Sequence, residues 1–114
     1  MDTSSDCLLV ISNLPDLTSA QRLAEHLVGN GLAACVNIHG PCQSIYRWEG
    51  KVEKTGEMPV FIKTTAARYA ALEAAIRELH PYEVPEIIAV PVTHGLPAYL
   101  QWVHGETEPP CAVC

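Results

Sequence analysis

The side chains best suited to chemistry are gathered in one short segment, residues 80–86. It carries an imidazole at His80, a phenol at Tyr82 and carboxylates at Glu83 and Glu86. These groups bind metal ions and transfer protons. Prolines at positions 81 and 85 stiffen the backbone, and the segment stands between a helical pattern and the branched aliphatic residues of a strand. We therefore expect a rigid turn from helix to sheet. This turn is where we predict a binding site.

Each polar group in this segment has two interpretations. His80 either caps the C-terminus of a helix, where a cation suits the helix dipole, or binds a metal ion. Glu86 either accepts a hydrogen bond from Lys63 or Tyr82 or acts as a metal ligand, and we expect it to be paired in both cases. No nucleophile elbow, phosphate loop or closed metal motif accompanies these residues, so we expect no enzymatic activity.

A second grouping depends on assembly. Lys63, Tyr82, Glu86 and Trp102 would form a binding pocket if a cleft between subunits lies beside the turn at residues 80–86. The sequence does not test that geometry, and the pocket is an expectation.

The chain has five cysteines. Cys7, Cys35 and Cys42 lie in or beside apolar strand patterns, where free cysteine behaves as a small hydrophobic residue. Cys111 and Cys114 have the Cys-x-x-Cys spacing of metal and redox sites, but they supply only two of the four ligands of a structural zinc. They are either an exposed thiol pair or part of a metal site completed by other tails in an oligomer.

Composition excludes several classes. Of the 114 residues 48% are hydrophobic and the net charge is −6, which is typical of a globular protein. With only seven Lys and Arg residues, the sequence does not predict a basic surface for nucleic acid. No apolar run is long enough to span a membrane. The acidic N-terminus does not resemble a signal peptide, so we expect a cytoplasmic protein.

The hydrophobic periods predict an α+β domain of order β-α-β-β-α-β with an extra C-terminal helix, which is a ferredoxin-like sandwich. We expect a domain over residues 1–105 and a flexible tail over 106–114. Thr18 and Gln21 have the spacing of a capping box at the first helix, and Thr65 is the predicted cap of the second. The predicted elements are strand 7–14, a helix ending at Asn30-Gly31, an extended leg 32–48 interrupted at Gly40-Pro41, a turn at Glu49-Gly50, strand 51–64, a helix ending before Pro81, strand 86–92 and helix 97–104.

The predicted hairpin is too long for one domain. Legs of roughly 14 residues span about 45 Å, whereas a compact domain of this length is about 35 Å across. We expect the overhanging ribbon to be buried in a homo-oligomer, with Tyr46, Trp48 and Pro59 at the interface; Pro59 marks an edge of its strand because it cannot donate to a ladder. The alternative is a sharp bend at Gly40-Pro41 that shortens the ribbon.

Five segments together resemble the CutA family of divalent-cation tolerance proteins. They are Leu-Ala-Ala-Cys-Val-Asn-Ile at 32–38, Ser-Ile-Tyr-Arg-Trp-Glu-Gly-Lys at 44–51, Ile-Lys-Thr at 62–64, His-Pro-Tyr-Glu-Val-Pro-Glu-Ile at 80–87, and Tyr-Leu-x-Trp at 99–102. The resemblance covers about residues 8–104. It implies a ferredoxin-like fold, a homotrimer held by its long hairpins, a part in the response to metal ions and no enzymatic activity.

The resemblance also implies copper binding in some members, through a thiol on the first strand and histidines at the end of the second helix. The corresponding positions here look like Ser12, Leu79 and His80, so only His80 matches. Our first hypothesis is a homotrimer that binds Cu²⁺ or another divalent cation weakly at His80, Glu83 and Glu86, with no cofactor required for folding. The alternative is a trimeric signalling or scaffold protein that binds a small molecule or protein partner in its inter-subunit clefts.

Overall fold

Strands paired antiparallel form the centre of the protein. The computed structural model describes residues 6–109. Within that range the elements are β1 (Cys7–Leu14), α1 (Leu17–Gly29), β2 (Cys35–Ile38), β3 (Cys42–Trp48), β4 (Lys51–Thr65), α2 (Ala66–Leu79), β5 (Ile88–Pro91) and α3 (Pro97–Glu106). The predicted mixed α+β class is confirmed. None of the helices in this part of the chain is long and apolar enough to cross a membrane.

The long strand β4 organises the sheet. It pairs with β1 along one edge and with β2 and then β3 along the other, and β5 pairs with β1, giving the order β2-β4-β1-β5. The predicted interruption at Gly40-Pro41 is confirmed, because it separates β2 from β3. Pro59 lies opposite this gap, where the ladders to β2 and β3 end at Val60 and Glu57. The missing N–H of Pro59 therefore costs no bond with either strand.

The core lies on one face of the sheet. Alternate residues of β1 and β4 point to this face, as the two-residue period of a strand requires. They pack against α1 and α2 through buried aliphatic side chains: Val10, Leu14, Val60 and Ile62 from the sheet, and Leu23, Leu27, Leu72 and Ile76 from the helices. The helix α3 packs separately, where Leu100 and Val103 contact Cys7 and Ala34. These two packed clusters hold β1, β4 and the helices together.

The helix boundaries correct one prediction. The predicted N-cap of α1, Thr18, is wrong, because the cap is Asp16, whose Oδ1 accepts from the Ser19 N–H at 2.8 Å. Thr65 is the N-cap of α2 as predicted, although its side chain makes no capping hydrogen bond. α3 continues to Glu106, two residues past its predicted end.

The β3–β4 hairpin extends beyond the body. Its register runs without a break from Cys42 opposite Glu57 to Trp48 opposite Lys51. Glu49 and Gly50 form the predicted turn with φ of 49° and 80°. The molecule measures 49 × 30 × 24 Å, so its length exceeds that of a compact domain of this size. The break at residues 39–41 interrupts the ribbon without folding it back.

Candidate functional site

A cavity of about 610 Å³ lies between the β3–β4 hairpin and the segment that follows α2. We call it the hairpin cavity. β3 and β4 supply one wall, the end of β1 supplies Asn13, and the turn after α2 supplies the other wall. Its lining residues are Asn13, Ser44, Ile45, Tyr46, Trp48, Glu57, Tyr82, Glu83, Val84 and Glu86.

His80 holds the second wall in place. Its backbone N–H donates to the Ile76 carbonyl at 2.8 Å, and it occupies the C-cap position of α2. The buried ring also bonds at both nitrogens: Nδ1 accepts from the Tyr82 N–H at 3.1 Å, and Nε2 lies 2.6 Å from the Asn13 carbonyl oxygen. Because Nδ1 is an acceptor, Nε2 carries the proton and donates it to Asn13. The ring therefore ties the turn to the end of β1.

Tyr82 and Glu57 join the two walls. The Tyr82 hydroxyl donates to Glu57 Oε2 at 3.1 Å, and the Tyr82 ring lies 4.8 Å from the His80 ring. Burial, and then the Glu57 carboxylate, raise the pKa of Tyr82 to about 12. The phenol thus remains a hydrogen-bond donor over the whole physiological range.

Glu86 is paired, as expected, but with another partner. Asn13 Nδ2 donates to Glu86 Oε1 at 3.1 Å, in place of Lys63 or Tyr82. With Glu57 and Glu83 it gives the hairpin cavity three carboxylates, and the lining residues among 6–109 include no Lys, Arg or His. The cavity is therefore acidic and attracts cations.

Within residues 6–109, the predicted metal ligands His80, Glu83 and Glu86 do not form one three-ligand group. No group of three or more His, Cys, Asp or Glu side chains in the described range is arranged to hold a metal. His80 uses both ring nitrogens, while the exposed Glu83 and Glu86 line the cavity. Ser12, at the position that resembles the family's thiol position, is fully buried, and its Oγ has no hydrogen-bond partner within residues 6–109. The predicted ligands Cys111 and Cys114 lie outside the described residues.

The predicted pocket residues are only partly brought together by one chain. Tyr82 and Glu86 line the hairpin cavity, but Lys63 and Trp102 do not. Lys63 Nζ donates to Asn37 Oδ1 on β2, and the Trp102 ring lies 5.6 Å from the Tyr99 ring on α3. A pocket that unites all four across subunits stays a prediction.

The hairpin residues Tyr46 and Trp48, predicted at a subunit interface, line the cavity in a single chain. The Tyr46 hydroxyl lies 3.0 Å from Thr55 Oγ1. Sequence reasoning missed Glu57 as a site residue. Its signal was a carboxylate directly before the apolar residues 58–62, in a strand whose alternate side chains are buried.

Residues 8–106 match the family model described as CutA1 divalent ion tolerance protein. The chain is 46% identical over 94 residues to Protein CutA of Mus musculus, covering 82% of this chain and 53% of that protein. It is 40% identical over 99 residues to the divalent-cation tolerance protein CutA of Thermus thermophilus, covering 87% of this chain and 96% of that protein. The chain thus spans about half the length of the mouse relative but nearly all of the bacterial one.

Solved structures agree with the sequence comparisons. CutA from Xylella fastidiosa superimposes with a TM-score of 0.89 at 45% identity, over 91% of this chain and 100% of that one. CutA1 from Oryza sativa superimposes with a TM-score of 0.90 at 36% identity, over 96% of this chain and 100% of that one. The predicted family resemblance is confirmed.

Proposed function

The chain belongs to the CutA1 divalent ion tolerance family, and we propose that it acts in the response to metal ions as a homotrimer that binds Cu²⁺ or another divalent cation weakly. Several relatives carry the name divalent-cation tolerance protein. The observation that carries the proposal is the acidic hairpin cavity, whose carboxylates have no basic neighbour among its lining residues.

The geometry explains why such binding is weak. Glu83 and Glu86 are exposed on the cavity wall and offer two carboxylates to a cation, which keeps water as its other ligands. His80 joins them only by giving up its bond to Asn13 or to Tyr82. Copper affinity depends on several imidazole or thiolate donors, so a site of this kind binds copper loosely.

The trimer is supported by apolar surface that one chain leaves uncovered. Ile45, Trp48 and Val52 on the hairpin and Ile88 and Val90 on β5 are each about half exposed or more. In the described range β5 pairs only with β1, so its outer edge is open to another strand. We also assign the fold to the ferredoxin-like class, because α1 and α2 cover one face of the sheet and β2 and β3 count as one interrupted strand.

We further propose that the protein has no catalytic role and is cytoplasmic. A structural neighbour from Archaeoglobus fulgidus is described as periplasmic, so fractionation of cells that express the full chain would test the compartment.

Calorimetric titration with Cu²⁺ tests the metal proposal. The reference protein carries Cys111→Ala and Cys114→Ala, which removes the thiols from the tail. Adding Glu83→Gln and Glu86→Gln to this reference should lower the affinity for Cu²⁺ at least about tenfold. Loss of a carboxylate that only supports a metal ligand already costs about that much. Glu25→Gln, on the exposed face of α1, is the matched control and should change nothing. Equal affinity of the double variant and the reference would eliminate these carboxylates, and equal affinity of His80→Ala would eliminate His80.

A second candidate function is a signalling or scaffold trimer that binds a small molecule or protein partner in its inter-subunit clefts. The size of the hairpin cavity favours it, because about 610 Å³ lies within the usual range of small-molecule sites. Thermal unfolding across a panel of metabolites and metal salts separates the two candidates. Stabilisation by metabolites and by no metal supports the second; stabilisation by metals alone supports the first.

A further inference from the structure

We draw no further inference here: the strongest candidate, the pocket of about 230 Å³ at the N-terminus of α2, rests on a helix N-terminus alone, and its lining within residues 6–109 adds the carboxylates of Asp6 and Glu108 but no second observation that points to a ligand.

Discussion

At the scale of single residues, two buried hydroxyls in neighbouring strands differ in hydrogen bonding. Thr64 Oγ1 on β4 donates to the Leu32 carbonyl at 2.7 Å. Ser12 Oγ on β1 is equally buried and has no partner in the part of the chain that the structure describes. An unpaired buried hydroxyl costs free energy, whereas a paired one contributes to stability.

We therefore expect Ser12→Ala to leave the free energy of unfolding unchanged or to raise it by about 1 kcal/mol. Thr64→Val is the matched control and should lower it by about 1–2 kcal/mol, because it leaves the Leu32 carbonyl unpaired. Urea unfolding followed by circular dichroism measures both. A loss of stability in Ser12→Ala as large as that in Thr64→Val would contradict this view of Ser12.

The raised pKa of Tyr82 makes the free energy of unfolding depend on pH, and the sign of that dependence follows from the shift. The unfolded chain releases the phenol proton near pH 10, whereas the folded chain holds it until about pH 12. Between these values the unfolded state binds fewer protons, so the stability contributed by the neutral phenol is complete below pH 10 and is lost as the pH rises to 12. Near-ultraviolet titration should show one tyrosine ionising near pH 12.

Tyr82→Phe should remove this last ionisation step, and Glu57→Gln should move it to lower pH, because the nearby negative charge no longer opposes ionisation. If the step near pH 12 survives in Tyr82→Phe, it belongs to another tyrosine and the contact with Glu57 does not control it.

Sequence reasoning found one wall of the site and missed the other. The segment containing His80, Tyr82 and Glu86 is contiguous, so its polar character is visible in the sequence. Glu57 and Asn13 are far from it along the chain and reach it only because β1, β4 and the turn after α2 meet. The use of both His80 nitrogens is likewise a tertiary property, which composition and spacing do not reveal.

At the scale of elements, the hairpin turn contains a conformational cost. Glu49 adopts a φ of 49°, a left-handed conformation that costs most non-glycine residues about 1–2 kcal/mol. Asn tolerates this conformation, and Asn-Gly is the preferred pair for a turn with both central φ values positive.

Glu49→Asn should raise the free energy of unfolding by about 0.5–1 kcal/mol. Glu49→Ala is the control, because it removes the same charge but keeps the unfavourable φ, and we expect no gain from it. Differential scanning calorimetry compares the two variants. An equal increase in both would attribute the effect to the charge and contradict the conformational explanation.

Element types were predictable because hydrophobic periods and prolines specify them. The ends were less predictable, as α1 shows. Thr18 with Gln21 and Asp16 with Ser19 both satisfy capping rules in the sequence. Asp16 is the cap because its carboxylate accepts from Ser19 N while the Ser19 hydroxyl donates to the Asp16 carbonyl, which closes the first turn with two bonds.

At the scale of the whole molecule, the proposed assembly requires that β5 meet another copy. Val90 on β5 and Val28 on α1 are similarly exposed, at 47% and 44%. Val90→Glu should dissociate the oligomer, because it places a charge on the surface that we propose to be buried. Val28→Glu is the matched control and should leave the oligomer intact. Size-exclusion chromatography with light scattering distinguishes these outcomes, and identical behaviour of the two variants would place the interface elsewhere.

The element order was predictable because each element has its own local pattern. The long hairpin was predictable as well, since strand rise multiplied by leg length exceeds the width of a domain. The hairpin cavity was not, because its volume depends on how far the ribbon stands from the turn after α2. That separation is a property of tertiary packing.

Both candidate functions depend on the trimer, so sedimentation equilibrium of the full chain at micromolar concentration is the most direct test. We predict a single folded species with three times the mass of one chain, unchanged on dilution over that range. A folded species with the mass of one chain would contradict the account, because the exposed hairpin and β5 would then be stable without a partner.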